Sequence, residues 1–358
     1  MHWRKTSLCI LMSLLVLCGC STVSNSNQLN PIGEEEYAAI QPYESSDARI
    51  KHAALMGDTE ARFRMEQGLM DLSKTYFSPT KVAYKTQEFL DYDELDATDG
   101  SRGLLGTNRD ENPNGLNPSP DEGFNTGNGT VSGAVILVDL YELDWYSDDE
   151  LQGISIAMVV NDALEDKNGK TVEITKGRMQ NYLEVTSGHL VSYMRERFNS
   201  ITSNVPIYVA CFSLDHASDT LGSYIYQGYF EGAQGDFSEL DLTWAEVPGA
   251  AFSKADADMA AQFAEYQNEL SHVLVDYSYL VGKATLQDGK VIQLNITLTA
   301  HGKTASEILA ITQAASEQMV VFTNSSCTYK VEVITDVGTY AIVSKDAGSE
   351  DVNVMTMQ

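Results

Sequence analysis

Basic residues are scarce in this chain. Against 51 Asp and Glu stand 23 Lys and Arg, a formal charge of −28 over 358 residues. Such a surface repels nucleic-acid phosphates and anionic headgroups, so no nucleic-acid partner is expected. Cysteine is sparse as well: five residues without a Cys-x-x-Cys spacing, which gives no indication of a zinc or thioredoxin-type site. Histidine numbers six, and beyond His2 the others (His52, His189, His216, His272 and His301) are scattered with no His-Glu-x-x-His. A P-loop and a Gly-x-Ser-x-Gly elbow are both missing. No metal, cofactor or catalytic residue is therefore expected, and no enzyme is specified. Catalytic carboxylate pairs are neither located nor ruled out among so many acids. After residue 19 no apolar run reaches the roughly 20 residues that a membrane helix needs.

One apolar run stands at the start, MHWRKTSLCILMSLLVLCGC. Arg4 and Lys5 precede an apolar core from Leu8 to Leu17, too short to span a bilayer permanently, so the stretch reads as a secretory signal peptide. Its end, Leu17-Cys18-Gly19 followed by Cys20, has the lipobox form. Signal peptidase II would recognise Leu17, Cys18 and Gly19 and cut before Cys20, whose thiol carries a diacylglyceryl group. The plainer alternative is a secretory signal with an incidental cysteine. Cleavage removes Arg4 and Lys5 and takes the formal charge from −28 to −30, which keeps the body soluble and off the surface that its lipid grips. With Cys20 lipidated, Cys211 and Cys327 are left either to pair or to lie buried as free thiols. The Ser/Asn-rich stretch 21–36 is expected to be a tether with a reach of roughly 20–25 Å.

Beyond it the pattern turns to folded structure. A helix is expected from Asp58 to Phe77, with Phe63, Leu69, Met70, Ser73, Tyr76 and Phe77 near one face and Pro79 as its stop. Residues 99–133 carry eight glycines and three prolines and read as a long irregular loop, a surface wrap or a ligand-gripping segment. Its Gly127-x-Gly129-x-x-x-Gly133 misses the dinucleotide fingerprint by one residue. AVILVDLYELDW and ISIAMVV are strands, with a solvated turn at Ser147–Glu150. Ser155, in a faint echo of a nucleophile elbow, is best placed in the strand core. Leu164 stands where an EF-hand requires a carboxylate, so Asn168-Gly169 is a hairpin turn instead. A helix from about Lys176 to Phe198 presents Met179, Leu183, Thr186, Leu190, Met194 and Phe198, with Arg195 and Arg197 suited to its C-terminal dipole. Strands VPIYVACFSL and LGSYIYQGYF follow, the second offering Tyr224, Tyr226 and Tyr229 as sheet packing or an aromatic surface. Ser253-x-x-Asp256 opens a long helix bearing Met259, Phe263, Tyr266, Leu270, Leu274 and Tyr277. VGKATLQ, a turn at Asp288-Gly289, VIQLNITLTA, a helix capped by Thr304-x-x-Glu307, and strands CTYKVEV and GTYAIVS close the chain.

The order strand, hairpin, strand, helix, strand, strand occurs from Ile154 to Phe230 and again from Val281. The expected fold is therefore α+β, two related modules of mixed or antiparallel sheet, each covered by a helix, after a signal peptide and flexible tether. The expected segments are 1–19 signal peptide, 20–40 tether, 41–133 helical and loop region, 134–252 first module, 253–280 bridging helix, 281–346 second module and 347–358 tail.

Several stretches, taken in order, resemble the CamS family of Gram-positive lipoproteins, the sex-pheromone precursors. They are the lipobox at Cys20, GLMDLSKTYFSPTKVAYKTQEFLD from Gly68, GLNPS from Gly115, GISIAMVVND from Gly153, VPIYVACFS from Val205 and VGK from Val281. The resemblance implies that the cleaved leader is trimmed to a short peptide inducing conjugative plasmid transfer. Carried onto this sequence, that peptide is Ser13-Leu14-Leu15-Val16-Leu17-Cys18-Gly19 or a fragment of it; Cys18 departs from the Ala or Ser usual there. The partners implied are the bilayer through the lipid anchor, the transferase and signal peptidase II during maturation, and a pheromone receptor. The location implied is the extracellular face of the cell membrane. The alternative is an extracytoplasmic ligand-binding or envelope-adhesion lipoprotein, gripping through the 99–133 loop and Tyr224–Tyr229.

Overall fold

Long runs of β-branched and aromatic residues dominate the chain after residue 134, and they become the strands of one large sheet. The computed structural model describes residues 28–33, 35–52, 59–96, 103–214, 220–274 and 278–357. In chain order the elements are β1 (Ala38–Ala39), α1 (Asp47–His52), α2 (Thr59–Ser73), β2 (Ala83–Thr86), α3 (Tyr92–Asp96), β3 (Gly123–Asn125) and β4 (Thr130–Ser132). The central set is β5 (Leu137–Ser147), β6 (Glu150–Val160), β7 (Ala163–Glu165), β8 (Thr171–Glu173), α4 (Lys176–Arg197), β9 (Ile207–Ser213), β10 (Thr220–Phe230) and β11 (Gly235–Val247). The last set is α5 (Ala250–Ala255), α6 (Ala257–Leu270), β12 (Ser278–Gln287), β13 (Lys290–Ala300), α7 (Ala305–Glu317), β14 (Thr328–Thr335), β15 (Gly338–Lys345) and β16 (Asn353–Thr356).

Twelve strands form one sheet in the order β1-β2-β5-β6-β9-β10-β11-β12-β13-β14-β15-β16. Two stretches of it share a topology. In the first, β5 and β6 are antiparallel, α4 crosses over to β9 parallel to β6, and β10 returns antiparallel. In the second, β12 and β13 are antiparallel, α7 crosses over to the parallel β14, and β15 returns. A parallel neighbour cannot be reached by a tight turn, which is why each unit carries a helix at that step. The hairpin between β7 and β8 stands outside the main sheet, so the repeat is strand, strand, helix, strand, strand, starting at β5 and not at Ile154.

No gap separates the units, because β11 pairs with β10 on one side and β12 on the other. The helix expected to bridge two modules instead lies on the second: Met259, Phe263, Tyr266 and Leu270 of α6 enter the same core as Leu294, Ile296 and Leu298 of β13. Its start also differs. Ser253 sits inside the short α5, bonded to the Gly249 carbonyl at 2.8 Å, and Asp256 is the N-cap, accepting from Met259 N–H at 3.0 Å. The box at Thr304 and Glu307 forms as expected.

Along β11, Trp244 packs toward α2 while Ala245 and Val247 enter the core under α6 and α7. Strand side chains alternate between faces. Helices α6 and α7 thus share one face of the sheet, and α2 covers the first unit from the opposite face. The second unit keeps its other face open, with Tyr279 and Val281 exposed, as an antiparallel sheet permits.

Both ends of the folded body reach further than the sequence suggests. Tyr37 is buried, donates from its hydroxyl to the Phe77 carbonyl at 2.6 Å and lies 4.2 Å from the Trp145 ring, so the sheet begins inside the tether expected through residue 40. The expected tail contains β16, paired with β15 from Ser344↔Asn353 to Ala341↔Thr356. All four β16 residues are exposed, so no apolar pattern marks the strand in the sequence. Helix α2 stops at Ser73 and buries Ala61, Met65, Gly68, Leu69 and Ser73, which leaves Phe63 on the outer face. Among the described residues no helix is long and apolar enough to cross a membrane.

Candidate functional site

The lipobox and peptide residues Ser13, Leu14, Leu15, Val16, Leu17, Cys18, Gly19 and Cys20 lie outside the described residues, as do His216 and Tyr277. The candidates in the body can be placed. Ser155 is fully buried; its hydroxyl accepts the Trp145 indole N–H at 2.8 Å and lies 2.8 Å from the Ser73 hydroxyl. It is a packing residue of β6. Next to it, a methyl group on Gly153 would sit 2.1 Å from the Phe77 ring, and one on Gly68 2.7 Å from the Tyr224 ring. Gly68, Ser73, Phe77, Gly153 and Ser155 all come from the stretches that carry the family resemblance. They meet where α2 docks on the sheet.

The three tyrosines of β10 do not share a surface. Between Tyr224 and Tyr226 the pairing with β9 advances two residues on β10 for one on β9, from Phe212 to Cys211. That bulge turns Tyr226 to the other face. Tyr224 is buried under α2 and donates to the Met65 carbonyl at 2.5 Å. Tyr229 is half-buried on that face and stacks on Tyr76 at 4.3 Å. Tyr226 packs on the α4 side, bonded to Glu184 and stacked on Phe237. An aromatic gripping surface from these residues is therefore not formed.

The glycine-rich loop is largely irregular, apart from the β3–β4 hairpin, but it is pinned. Asn117, 1% exposed, uses every hydrogen-bonding site of its side chain: Nδ2 donates to the Leu105 and Leu137 carbonyls, each at 2.9 Å, and Oδ1 accepts Ile136 N–H at 2.8 Å and Leu137 N–H at 2.9 Å. Asn112 donates to the Gly103 carbonyl at 2.8 Å, and Tyr182 of α4 donates to the Leu116 carbonyl at 3.1 Å. The described part of this loop is built into the fold.

Two buried charge clusters flank β5. Asp139 accepts from Arg49 at 2.7 Å and lies 3.3 Å from His52 Nδ1, tying α1 to the strand, while Arg49 also reaches Glu66 at 3.2 Å. Glu142 and Asp144 are both completely buried. Glu142 accepts from Phe89 N–H at 2.9 Å and Leu90 N–H at 2.8 Å, and Asp144 from Glu88 N–H at 2.9 Å. Burial, reinforced by the Glu142 charge and a hydrogen bond to it, holds the Asp144 carboxyl well above the ordinary range. Such a pair has the chemistry of a catalytic dyad, yet it is sealed under residues 87–90 and clamps them to β5. Sequence spacing (i, i+2 on a strand) could have paired these acids; nothing in it announced that they are buried.

Among the described residues no His, Cys, Asp and Glu group is arranged to hold a metal ion. His189 and His272 are exposed, and His301 bonds Asp336 at 2.8 Å at the surface. Cys211 and Cys327 are free, buried in different cores, and burial pushes the Cys327 thiol up to about 11.

A groove of about 670 Å³ opens at the seam of the two units. Ile174, Met179, Leu183 and Ile225 line it together with Asp162, Glu239, Asp241 and Asp288. It lies beside the β10 bulge, where β11 is also out of step: Tyr224 pairs with Leu242 but Tyr226 with Glu239.

These features define a mixed α+β protein on one twelve-stranded sheet, with polar pins inside and no group arranged to hold a metal ion among the described residues. Residues 43–351 match the family described as CamS sex pheromone cAM373 precursor, and the chain belongs to that family. Its fold is similar to the crystal structure of a sex pheromone precursor from Lactobacillus salivarius, with a TM-score of 0.78 and 19% identity over 92% of this chain and 98% of the other. The C-terminal domain of the sex pheromone staph-cAM373 precursor from Staphylococcus aureus is also similar, with a TM-score of 0.65 and 19% identity over 85% and 98%. No curated protein matches the sequence.

Proposed function

We propose that this protein is exported as a lipoprotein, held on the extracellular face of the cell membrane by a diacylglyceryl group on Cys20, and that its cleaved leader is the source of a sex pheromone peptide. The observation that carries the reading is the coincidence of a leader ending Leu17-Cys18-Gly19-Cys20 with membership, over residues 43–351, of a family described as pheromone precursors. Signal peptidase II and the diacylglyceryl transferase act during maturation. The peptide Ser13–Gly19 has no charged side chain and four branched apolar ones, Leu14, Leu15, Val16 and Leu17. Such a peptide partitions out of a membrane and fills an apolar receptor groove at modest desolvation cost. Induction of conjugative transfer in neighbouring donor cells is the expected response.

Mass spectrometry of cells and culture medium together tests both halves. A diacylglyceryl group on Cys20 in the cell fraction, with peptides from residues 10–19 in the medium, is the expected outcome. An unlipidated Cys20 removes the anchor. Synthetic SLLVLCG that induces no clumping or transfer in any donor strain removes the pheromone. A second reading, an extracytoplasmic binding lipoprotein, is favoured by the groove between the two units.

A further inference from the structure

We propose that the groove at the seam of the two sheet units binds a basic, amphipathic peptide segment. The proposal goes beyond the leader and its pheromone and does not depend on either. Its volume, about 670 Å³, lies in the range of roughly 300–1,000 Å³ that ligand sites occupy. The floor is apolar, supplied by Met179 and Leu183 of α4, Ile174 before it and Ile225 of β10. The charge around that floor is one-sided. Asp162, Glu239, Asp241 and Asp288 line it against one base, Lys176, which already bonds Glu239 at 2.6 Å.

These carboxylates come from separate elements. Asp162 follows β6, Glu239 and Asp241 belong to β11, and Asp288 sits in the β12–β13 turn. Negative charge is thus spread round an apolar floor. That arrangement suits several ammonium or guanidinium groups along one chain, whose apolar side chains reach the floor, better than a single metal ion. It accords with the lack of a metal-holding group among the described residues. The double irregularity of β10 and β11 lies at the groove, between Tyr224 and Tyr226 on β10 and between Leu242 and Glu239 on β11. Bulges gather where a strand must be re-aimed beside a site.

The test is fluorescence anisotropy with the purified chain and a fluorescein-labelled hexapeptide of alternating lysine and leucine, at about 20 and about 200 mM salt. A glutamate–leucine hexapeptide and unlabelled spermine serve as comparisons. The lysine–leucine peptide should bind and weaken as salt screens the rim. The pair Asp241→Asn and Asp288→Asn should weaken it about tenfold. Asparagine tolerates the positive φ of 51° at Asp288, so that pair keeps the turn. The pair Asp148→Asn and Asp149→Asn removes the same charge at the β5–β6 turn, away from the groove, and should change binding by less than about twofold. Equal losses from the two pairs would reduce the effect to the protein's overall charge and overturn the site. Equal binding of the acidic peptide, or no binding of the basic one, would overturn it as well. Spermine displacing the peptide as effectively as unlabelled peptide would overturn the role of the apolar floor.

Discussion

Replacing Asn117 by alanine should be among the most damaging single changes in this protein, although the residue sits in a loop rich in glycine and proline. The side chain satisfies the carbonyls of Leu105 and Leu137 and the amides of Ile136 and Leu137 at 2.8–2.9 Å, and it is 1% exposed. A buried polar group left without a partner costs about 1–3 kcal/mol. Four such groups would exceed that several-fold, but a water entering the vacated polar space recovers part of the loss. The expected cost is therefore roughly 3–5 kcal/mol, with faster proteolysis of residues 103–122. Asn117→Asp adds a signature in pH. The new carboxyl faces two carbonyls, and burial raises its folded pKa above the unfolded value. The folded state then binds more protons than the unfolded one, and the variant loses stability as pH rises through that window. Equilibrium urea unfolding followed by tryptophan fluorescence, at pH 5 and pH 8, measures both effects. Asn128→Ala, an exposed position whose amide bonds the Glu173 carbonyl at 3.1 Å, is the control and should cost under about 1 kcal/mol. A loss at Asn117 no larger than the control's would refute the reasoning.

Asp144→Asn tests the buried acid pair. Its raised pKa makes wild-type stability fall as pH climbs above the ordinary carboxylate range, by up to about 1.4 kcal/mol per pH unit. The amide keeps an acceptor for Glu88 N–H and a donor for Glu142, so the variant's stability profile should be flatter; parallel profiles would refute the raised Asp144 pKa. Gly153→Ala should cost about 1–3 kcal/mol in thermal or urea unfolding by pushing into the Phe77 ring. Combined with Phe77→Leu, the total should fall below the sum of the two single changes; strict additivity would mean that the two sites do not touch. Cys211 and Cys327 should resist iodoacetamide at pH 8 in the folded protein and react once it is denatured. Mass spectrometry that found labelled native Cys211, or a disulfide between the two, would contradict their separate burial.

The sequence and the fold agree where a periodic pattern had one buried face to report. Helix α4 and the capped α7 lie within a few residues of their expected places, because Met179, Leu183, Leu190 and Met194, and the Thr304–Glu307 box, are one-sided signals. The turn at Asp288-Gly289 was legible for a different reason: both residues take positive φ, 51° and 70°, which few other pairs tolerate. Strand β16 was missed because an edge strand held by backbone bonds needs no apolar alternation. The opposite faces of Tyr224 and Tyr226 were missed because a bulge inserts one residue and inverts every period-two inference after it. The seam groove was hidden for the same reason. Its walls come from α4, β10, β11 and the β12–β13 turn, and only the sheet order brings them together.

The family stretches carry a physical lesson about what the resemblance measures. Gly68, Ser73, Phe77, Gly153 and Ser155 are fixed by contact: no side chain larger than glycine fits against Phe77 or Tyr224 without displacing a ring, and Ser155 is the acceptor for a buried indole. Asn117, from a further stretch, locks the loop. These residues are recognisable because the fold needs them, and they lie far in sequence from the peptide Ser13–Gly19. A released heptapeptide requires only the leader and its processing. Nothing in that chemistry calls for a twelve-stranded sheet with four helices packed on its faces, two buried charge clusters and a loop pinned at four bonds by one asparagine. If the body has a task of its own, the acidic groove where its two units join is the place in the structure to look for it.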